Sequence, residues 1–292
     1  MRDYCIMTDS CCDLSQQEVD ALGLTVLPLS YTMEGRTYHN TPDHADMSPE
    51  AFFDRIAQGA ECTTAAANVG QFEEAMREIL ESGRDILCIC FSSALSTTYQ
   101  SACIAAEELR GGYPDAKIVV IDSLSASRGQ GMLLYRTVQQ RRASRCNIET
   151  LAAYVRGILQ TQCHWFIVDD LSHLKRGGRV SATAALVGTM LGIKPVMHTD
   201  SEGRLIPVSK ARGTKAALRA LVDKVEELGV EPAQNQPLFI CHANCPDSVD
   251  YVKALLKERF GVTDVRAEFI GPVIGAHTGC GTLGLFFVGR ER

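Results

Sequence analysis

The sequence predicts an α/β protein of two domains. The first is a three-layer α/β/α unit on a parallel sheet, the second a two-layer α/β unit on a mixed sheet. Three observations carry this expectation. The chain has 292 residues, 46% hydrophobic and 22% charged, a globular composition with length for two ordinary domains. Short apolar runs alternate with helical patterns through the first half, the signature of a parallel sheet covered by helices. After Trp165-Phe166-Ile167-Val168-Asp169 the texture changes to glycine-rich polar turns at Lys175–Arg179 and Asp200–Arg204. The boundary is therefore placed near residue 163, giving domains 1–163 and 164–292.

In chain order, Tyr4 to Thr8, Leu24 to Leu29, Ile86 to Phe91 and Lys117 to Ile121 read as strands. Between the first two, Ser15-Gln16-Gln17-Glu18 has capping-box spacing and Gly23 closes the helix. From Asn68 to Gly83 the residues Phe72, Ala75, Met76, Ile79 and Leu80 keep the spacing of one helix face. Further helices are expected over Thr98 to Leu109, Met132 to Arg142 and Asn147 to Leu159, the last with an asparagine cap. Downstream, strands at Leu238 to His242, Val265 to Ile270 and Leu283 to Gly289 interleave with helices at Thr214 to Leu228 and Ser248 to Arg259. No internal repeat or long linker separates the halves, so they are expected to pack closely.

The net charge of −6 leaves no basic surplus for phosphate neutralisation, which argues against nucleic acid and against more than transient membrane contact. The amino terminus has no signal-peptide pattern, and no stretch approaches the roughly 20 apolar residues of a membrane span, so a cytoplasmic protein is expected. Its 12 cysteines are scattered through strand-like runs and read as reduced core thiols. Cys241-His242-Ala243-Asn244-Cys245 lacks a second ligand pair and reads as a strand end, so no metal is assigned.

Candidate ligand groups cluster where strands end. Thr63-Thr64 stands in a turn-like stretch before the Phe72 helix, either an ordinary cap or an anion seat of hydroxyls and free amides. Phe91-Ser92-Ser93-Ala94-Leu95-Ser96-Thr97-Thr98 has five hydroxyls between a strand and a helix, more than a cap needs, at the carboxyl edge where parallel sheets bind ligands. Thr8-Asp9-Ser10 and Asp122-Ser123 share that edge, and neither aspartate is given a catalytic role; Asp122 reads as a loop cap. His277 sits in the glycine-rich run Gly275–Gly281, where glycines let backbone approach a ligand. Gly279–Gly284 also fits a dinucleotide pattern, but a strand rather than a helix follows. Neither a nucleophile elbow around Ser92 or Ser93 nor a phosphate-binding P-loop is present, which weighs against a serine hydrolase and a P-loop kinase.

These motifs, in this order, resemble the DegV family of bacterial fatty-acid-binding proteins over essentially the whole chain. The resemblance is carried by Met7-Thr8-Asp9-Ser10, Ser92-Ser93-x-Leu95-Ser96, Tyr99-Gln100-Ser101, Ile121-Asp122-Ser123, Leu174-Lys175-x-Gly177-Gly178-Arg179-Val180, Ile193-Lys194-Pro195-Val196 and Gly271-Pro272-Val273-Ile274-Gly275-Ala276-His277-Thr278-Gly279. It implies a two-domain fold enclosing one long-chain fatty acid, with the carboxylate held by Thr63/Thr64, Ser92/Ser93 and His277. It further implies a carrier without complete catalytic apparatus and without a cofactor. Such a carrier presents the acid to a separate fatty acid kinase and takes fatty acid or acyl phosphate toward phospholipid synthesis. Arg179 and Arg212 would lie on the phosphate or kinase side. The alternative is a stand-alone phosphotransferase or an acyl-ester serine hydrolase. Thr64-Ala65-Ala66-Ala67, Thr97 and Cys280 depart from the usual family pattern, all beside the expected head group.

Overall fold

The described residues form three sheets, one more than the sequence suggests. The structure is a computed structural model describing residues 2–169, 171–181 and 192–292. In chain order the elements are β1 (Tyr4–Asp9), α1 (Gln16–Leu22), β2 (Leu24–Leu27), β3 (Leu29–Met33), β4 (Arg36–Asn40), α2 (Pro49–Ala57), β5 (Cys62–Ala65), α3 (Val69–Glu81), β6 (Asp85–Cys90), α4 (Thr98–Arg110), β7 (Ile118–Asp122), α5 (Arg128–Ser144) and α6 (Ile148–Ile158). There follow β8 (Gln162–Ile167), α7 (Ser172–Arg176), β9 (Ile193–Thr199), β10 (Leu205–Arg212), α8 (Thr214–Leu228), β11 (Leu238–His242), α9 (Pro246–Phe260), β12 (Val265–Phe269), α10 (Pro272–Thr278) and β13 (Leu283–Val288).

The first sheet is parallel, in the order β2-β1-β6-β7. Helices α3 and α4 pack on one face, and α6 packs on the other, completing three layers. Its strands are apolar on both sides, as Asp85–Cys90 shows by being buried at every position. The strand order reverses between β1 and β6, the place where open α/β sheets admit ligands. The second sheet is mixed, in the order β10-β9-β8-β13-β11-β12, with only β11 and β12 parallel. Helices α8 and α9 cover one of its faces. Residues 1–163 supply the other two sheets, and residues 164–292 supply all of this one except the first two residues of β8.

The third sheet, β4-β3-β5, is antiparallel. The apolar run Leu24 to Leu29, expected as one strand, is split by Pro28 between two sheets. Glu34 and Gly35, with φ of 53° and 76°, make the two-residue turn that reverses β3 into β4. Thr63 and Thr64 belong to β5, an edge strand, and do not open a helix; α3 is capped instead by Asn68, which accepts from the Gln71 amide at 3.0 Å. His277 likewise sits in the last turn of α10 rather than in a loop. Gly275 lets α10 approach Phe52 and Phe53 closely, since a Cβ there would lie 2.8 Å from each ring.

Helix α5 joins the two larger sheets. It packs on α6 on one side and on β8, β11 and β13 on the other. Leu133, Leu134 and Val138 enter the core of the parallel sheet, while Met132 joins Phe239, Cys241 and Phe286. Gly129 permits the close approach, since a Cβ there would stand 2.1 Å from the His164 ring. Gly129→Ala should therefore overpack the seam and cost about 1–3 kcal/mol. Chemical denaturation checks this, and an unchanged midpoint would mean that the seam yields without cost.

Candidate ligand-binding site

A cavity of about 370 Å³ lies between the parallel sheet, the small sheet and the elements α7 and α10. Its walls are mostly apolar, with Leu29, Phe91, Leu95, Leu174, Val273 and Ile274 prominent. Thr64, Ser93, Ser96, Thr97, Arg179, His277 and Thr278 supply polar groups. A smaller apolar space of about 50 Å³ adjoins it through Ala126, Leu205, Ile274 and Thr278, and ends among Phe166, Ile270 and Phe286.

The strand period separates the two threonines. Thr64 pairs with Tyr31 and faces the cavity, whereas Thr63 pairs with Thr32, is exposed and does not line it. The two serines are separated by hydrogen bonding. Ser92 is fully buried; its hydroxyl donates to the Gly203 carbonyl at 3.0 Å and accepts from the Ala94 amide. Ser93 lines the cavity, its amide held by both oxygens of Asp122 at 3.2 and 3.3 Å. Asp122 thus shapes the loop, and Asp9 does so from the other strand, accepting from the Phe91 amide at 2.7 Å. Arg212, at the end of β10 opposite Leu205, does not line the cavity; by strand rise it is roughly 23 Å from Leu205. The apolar wall residues carry no sequence signal that distinguishes them from core.

His277 Nε2 and the Thr64 hydroxyl are 2.8 Å apart. The other ring nitrogen faces Gly177, where a Cβ would stand 2.1 Å from Nδ1. Burial, with Arg179 and His173 nearby, pushes the His277 pKa down to about 4, so the imidazole is neutral at physiological pH. Arg179 donates through Nε to the Leu95 carbonyl at 3.0 Å and through Nη1 to the Gly177 carbonyl, which fixes one cation in the wall. The site therefore offers the hydroxyl residues Thr64, Ser93, Ser96, Thr97 and Thr278, a neutral imidazole and a fixed positive charge beside apolar walls. That set suits an anionic head on an apolar body. No group of three metal-ligating side chains suited to an ion occurs among the described residues.

The family model described as "Uncharacterised protein, DegV family" matches residues 4–290. The chain belongs to the DegV family. It is 38% identical to a DegV domain-containing protein of Clostridium perfringens over 292 residues, covering 100% of this chain and 99% of the relative. Among solved structures, one described as fatty acid binding of a DegV family protein from Thermus thermophilus is 30% identical, with TM-score 0.87 over 99% of this chain and 100% of that one. A DegV lipid-binding protein from Thermotoga maritima is 26% identical, with TM-score 0.86 over 99% of each chain. The Streptococcus pneumoniae Fatty Acid Kinase B3 protein, loaded with linoleic acid, shares the fold at 19% identity and TM-score 0.83, over 98% of this chain and 99% of that one.

Two outcomes follow for this DegV chain. The His277 ring, followed by NMR, should stay neutral down to about pH 4. Because its folded pKa lies below the ordinary 6.5, the stability linked to it is full above pH 6.5 and is lost as pH falls through 4; a ring titrating near 6.5 would contradict this. Gly177→Ala has an allowed backbone, φ −75°, yet should push the imidazole off Thr64. Ring nitrogen shifts identical to the parent would show that α7 can move aside.

Proposed function

We propose that this DegV protein binds a long-chain fatty acid, with its carboxylate held by Thr64, Ser93 and His277 and its chain running along the apolar walls toward Phe286. The observation that carries this is the cavity itself, in which those three residues, Arg179, Ser96, Thr97 and Thr278 stand among otherwise apolar walls that continue into the smaller space. A sixteen-carbon acid would gain roughly 11 kcal/mol gross from about fourteen buried methylenes, before immobilisation costs. Burying a carboxylate costs several kcal/mol unless it is hydrogen-bonded, which the hydroxyls and imidazole supply. The Thermus thermophilus relative, described as binding fatty acid, supports the ligand class.

In the fuller form of the proposal the protein is a cytoplasmic carrier without chemistry of its own. It presents the carboxylate to a separate fatty acid kinase, with Arg179 and Arg212 toward the phosphate or the kinase, and passes fatty acid or acyl phosphate to phospholipid synthesis. That partnership rests on the family resemblance; the Streptococcus pneumoniae neighbour contributes its fold. No helix among the described residues is long and apolar enough to cross a membrane. His277 Nε2 is engaged by a threonine rather than by a serine, which weighs against an acyl-ester hydrolase built on Ser92 or Ser93. The two-domain division at residue 163 is retained as part of the proposal.

Native mass spectrometry of the purified protein should show a bound species of fatty-acid mass. A protein that carries none and takes up no added palmitate would refute the assignment. Ser93→Ala should weaken palmitate binding about ten-fold, the worth of one hydrogen bond to a charged group, whereas Ser92→Ala should act on stability. Equal affinity in Ser93→Ala and the parent would remove Ser93 from the site.

A further inference from the structure

Asp13 lies outside the cavity and has an unusual setting. It follows the single turn Ser10–Cys12 with φ of 48°, a left-handed conformation for a residue other than glycine. Its carboxyl is buried, and burial pushes its pKa up to about 7, with Ser127, the Gly271 amide and Arg128 opposing that rise. Oδ2 accepts a short hydrogen bond from the Ser127 hydroxyl at the start of α5. Ser127 is itself strained, with φ 53° and ψ −143°. Two facing residues in sparsely populated conformations persist only where their surroundings dictate them.

The second oxygen, Oδ1, has no hydrogen-bond partner of normal geometry and lies against the start of α10, where a Cβ on Gly271 would stand 2.5 Å from it. Asn40 is the other side chain there, at 3.0 Å from the same point. Helix α10 is stiff, with the Gly275 amide on Gly271 at 2.8 Å and the Gly279 amide on Gly275 at 2.9 Å. Phe52 and Phe53 hold it sideways at Gly275. Along its axis, Asp13 and Asn40 abut its beginning, and about 9 Å further on its last turn presents His277. The His277–Thr64 hydrogen bond at 2.8 Å tolerates only a few tenths of an ångström of travel.

We propose that Asp13 is a positioning residue for the head-group site, setting through α10 the distance from His277 to Thr64. Asp13 does not line the cavity, and it reaches His277 through the backbone of α10. Its binding readout rests on the fatty-acid proposal, whereas its spectroscopic readout does not.

The test compares Asp13→Ala, Asp13→Asn and Gly271→Ala with the parent. Gly271→Ala has an allowed backbone, φ −66° and ψ 155°, and pushes on the same contact from the other side. In ligand-free protein, His277 ring nitrogen shifts and titration should change in Asp13→Ala and Gly271→Ala, and should stay as in the parent in Asp13→Asn, which keeps the shape of the side chain that abuts Gly271. Palmitate affinity should fall about ten-fold in the first two and be retained in the third. A merely structural role would lower the melting temperature and leave the His277 ring unchanged, which would overturn the proposal. So would an Asp13→Asn ring as displaced as that of Asp13→Ala. If Asp13→Ala does not fold, Gly271→Ala decides. If the parent itself takes up no palmitate, the fatty-acid assignment fails and the ring spectra still decide the positioning.

Discussion

A guanidinium without access to water governs how the two halves meet. Arg128, fully buried at the first residue of α5, is paired by Glu18 of α1, donates to the Asp13 carbonyl at 3.3 Å and lies 4.8 Å over the ring of Phe239 in β11. Burial pushes the Glu18 carboxyl up, but Arg128 outweighs it and the net displacement is downward, the behaviour of a true ion pair. Breaking such a pair costs about 3–5 kcal/mol, a large share of the roughly 5–15 kcal/mol that holds a domain together. Elements from both halves of the chain are thereby locked in mutual position. The cavity wall at Ala126 and the supports of α10 hang from that same seam.

Much of this was readable along the chain, and the misses share a cause. Local signals located α1, α3, α4, α6 and α8 to within a residue or two, because capping and apolar periodicity are short-range properties. The small antiparallel sheet was not anticipated, because β5 is a strand only through its pairing with β3, some thirty residues earlier. In isolation Thr63-Thr64 looks like a cap. Pro28 and the Glu34-Gly35 turn were the available hints. Once β5 is recognised as a strand, alternation puts Thr63 and Thr64 on opposite faces, and the pairing of Thr64 with the buried Tyr31 identifies the inner one. Choosing Ser93 over Ser92 required knowing that Gly203 sits above Ser92, a contact 111 residues distant. His277 was singled out for its glycine neighbours, and two of them act sterically: Gly275 against phenylalanine rings and Gly279 against His173.

The electrostatics of the site follow from where water is excluded. A charged histidine would be costly at this depth, and the fold resolves the conflict by depressing its pKa. Positive charge is delegated to Arg179, whose guanidinium is committed to two backbone carbonyls. A carboxylate in the proposed position would meet hydroxyls, with Thr64 already oriented by His277, and no bidentate arginine fork that would occupy both of its oxygens.

The hydrogen bond between Thr64 and His277 joins residues 213 positions apart. During synthesis the site is therefore open until residue 277 has emerged, and any contiguous fragment that contains it spans residues 64–277. Contacts of such sequence separation form late and slowly. A ligand that engages only the finished arrangement would draw the last docking step forward by mass action, making occupancy a report on the integrity of the entire molecule.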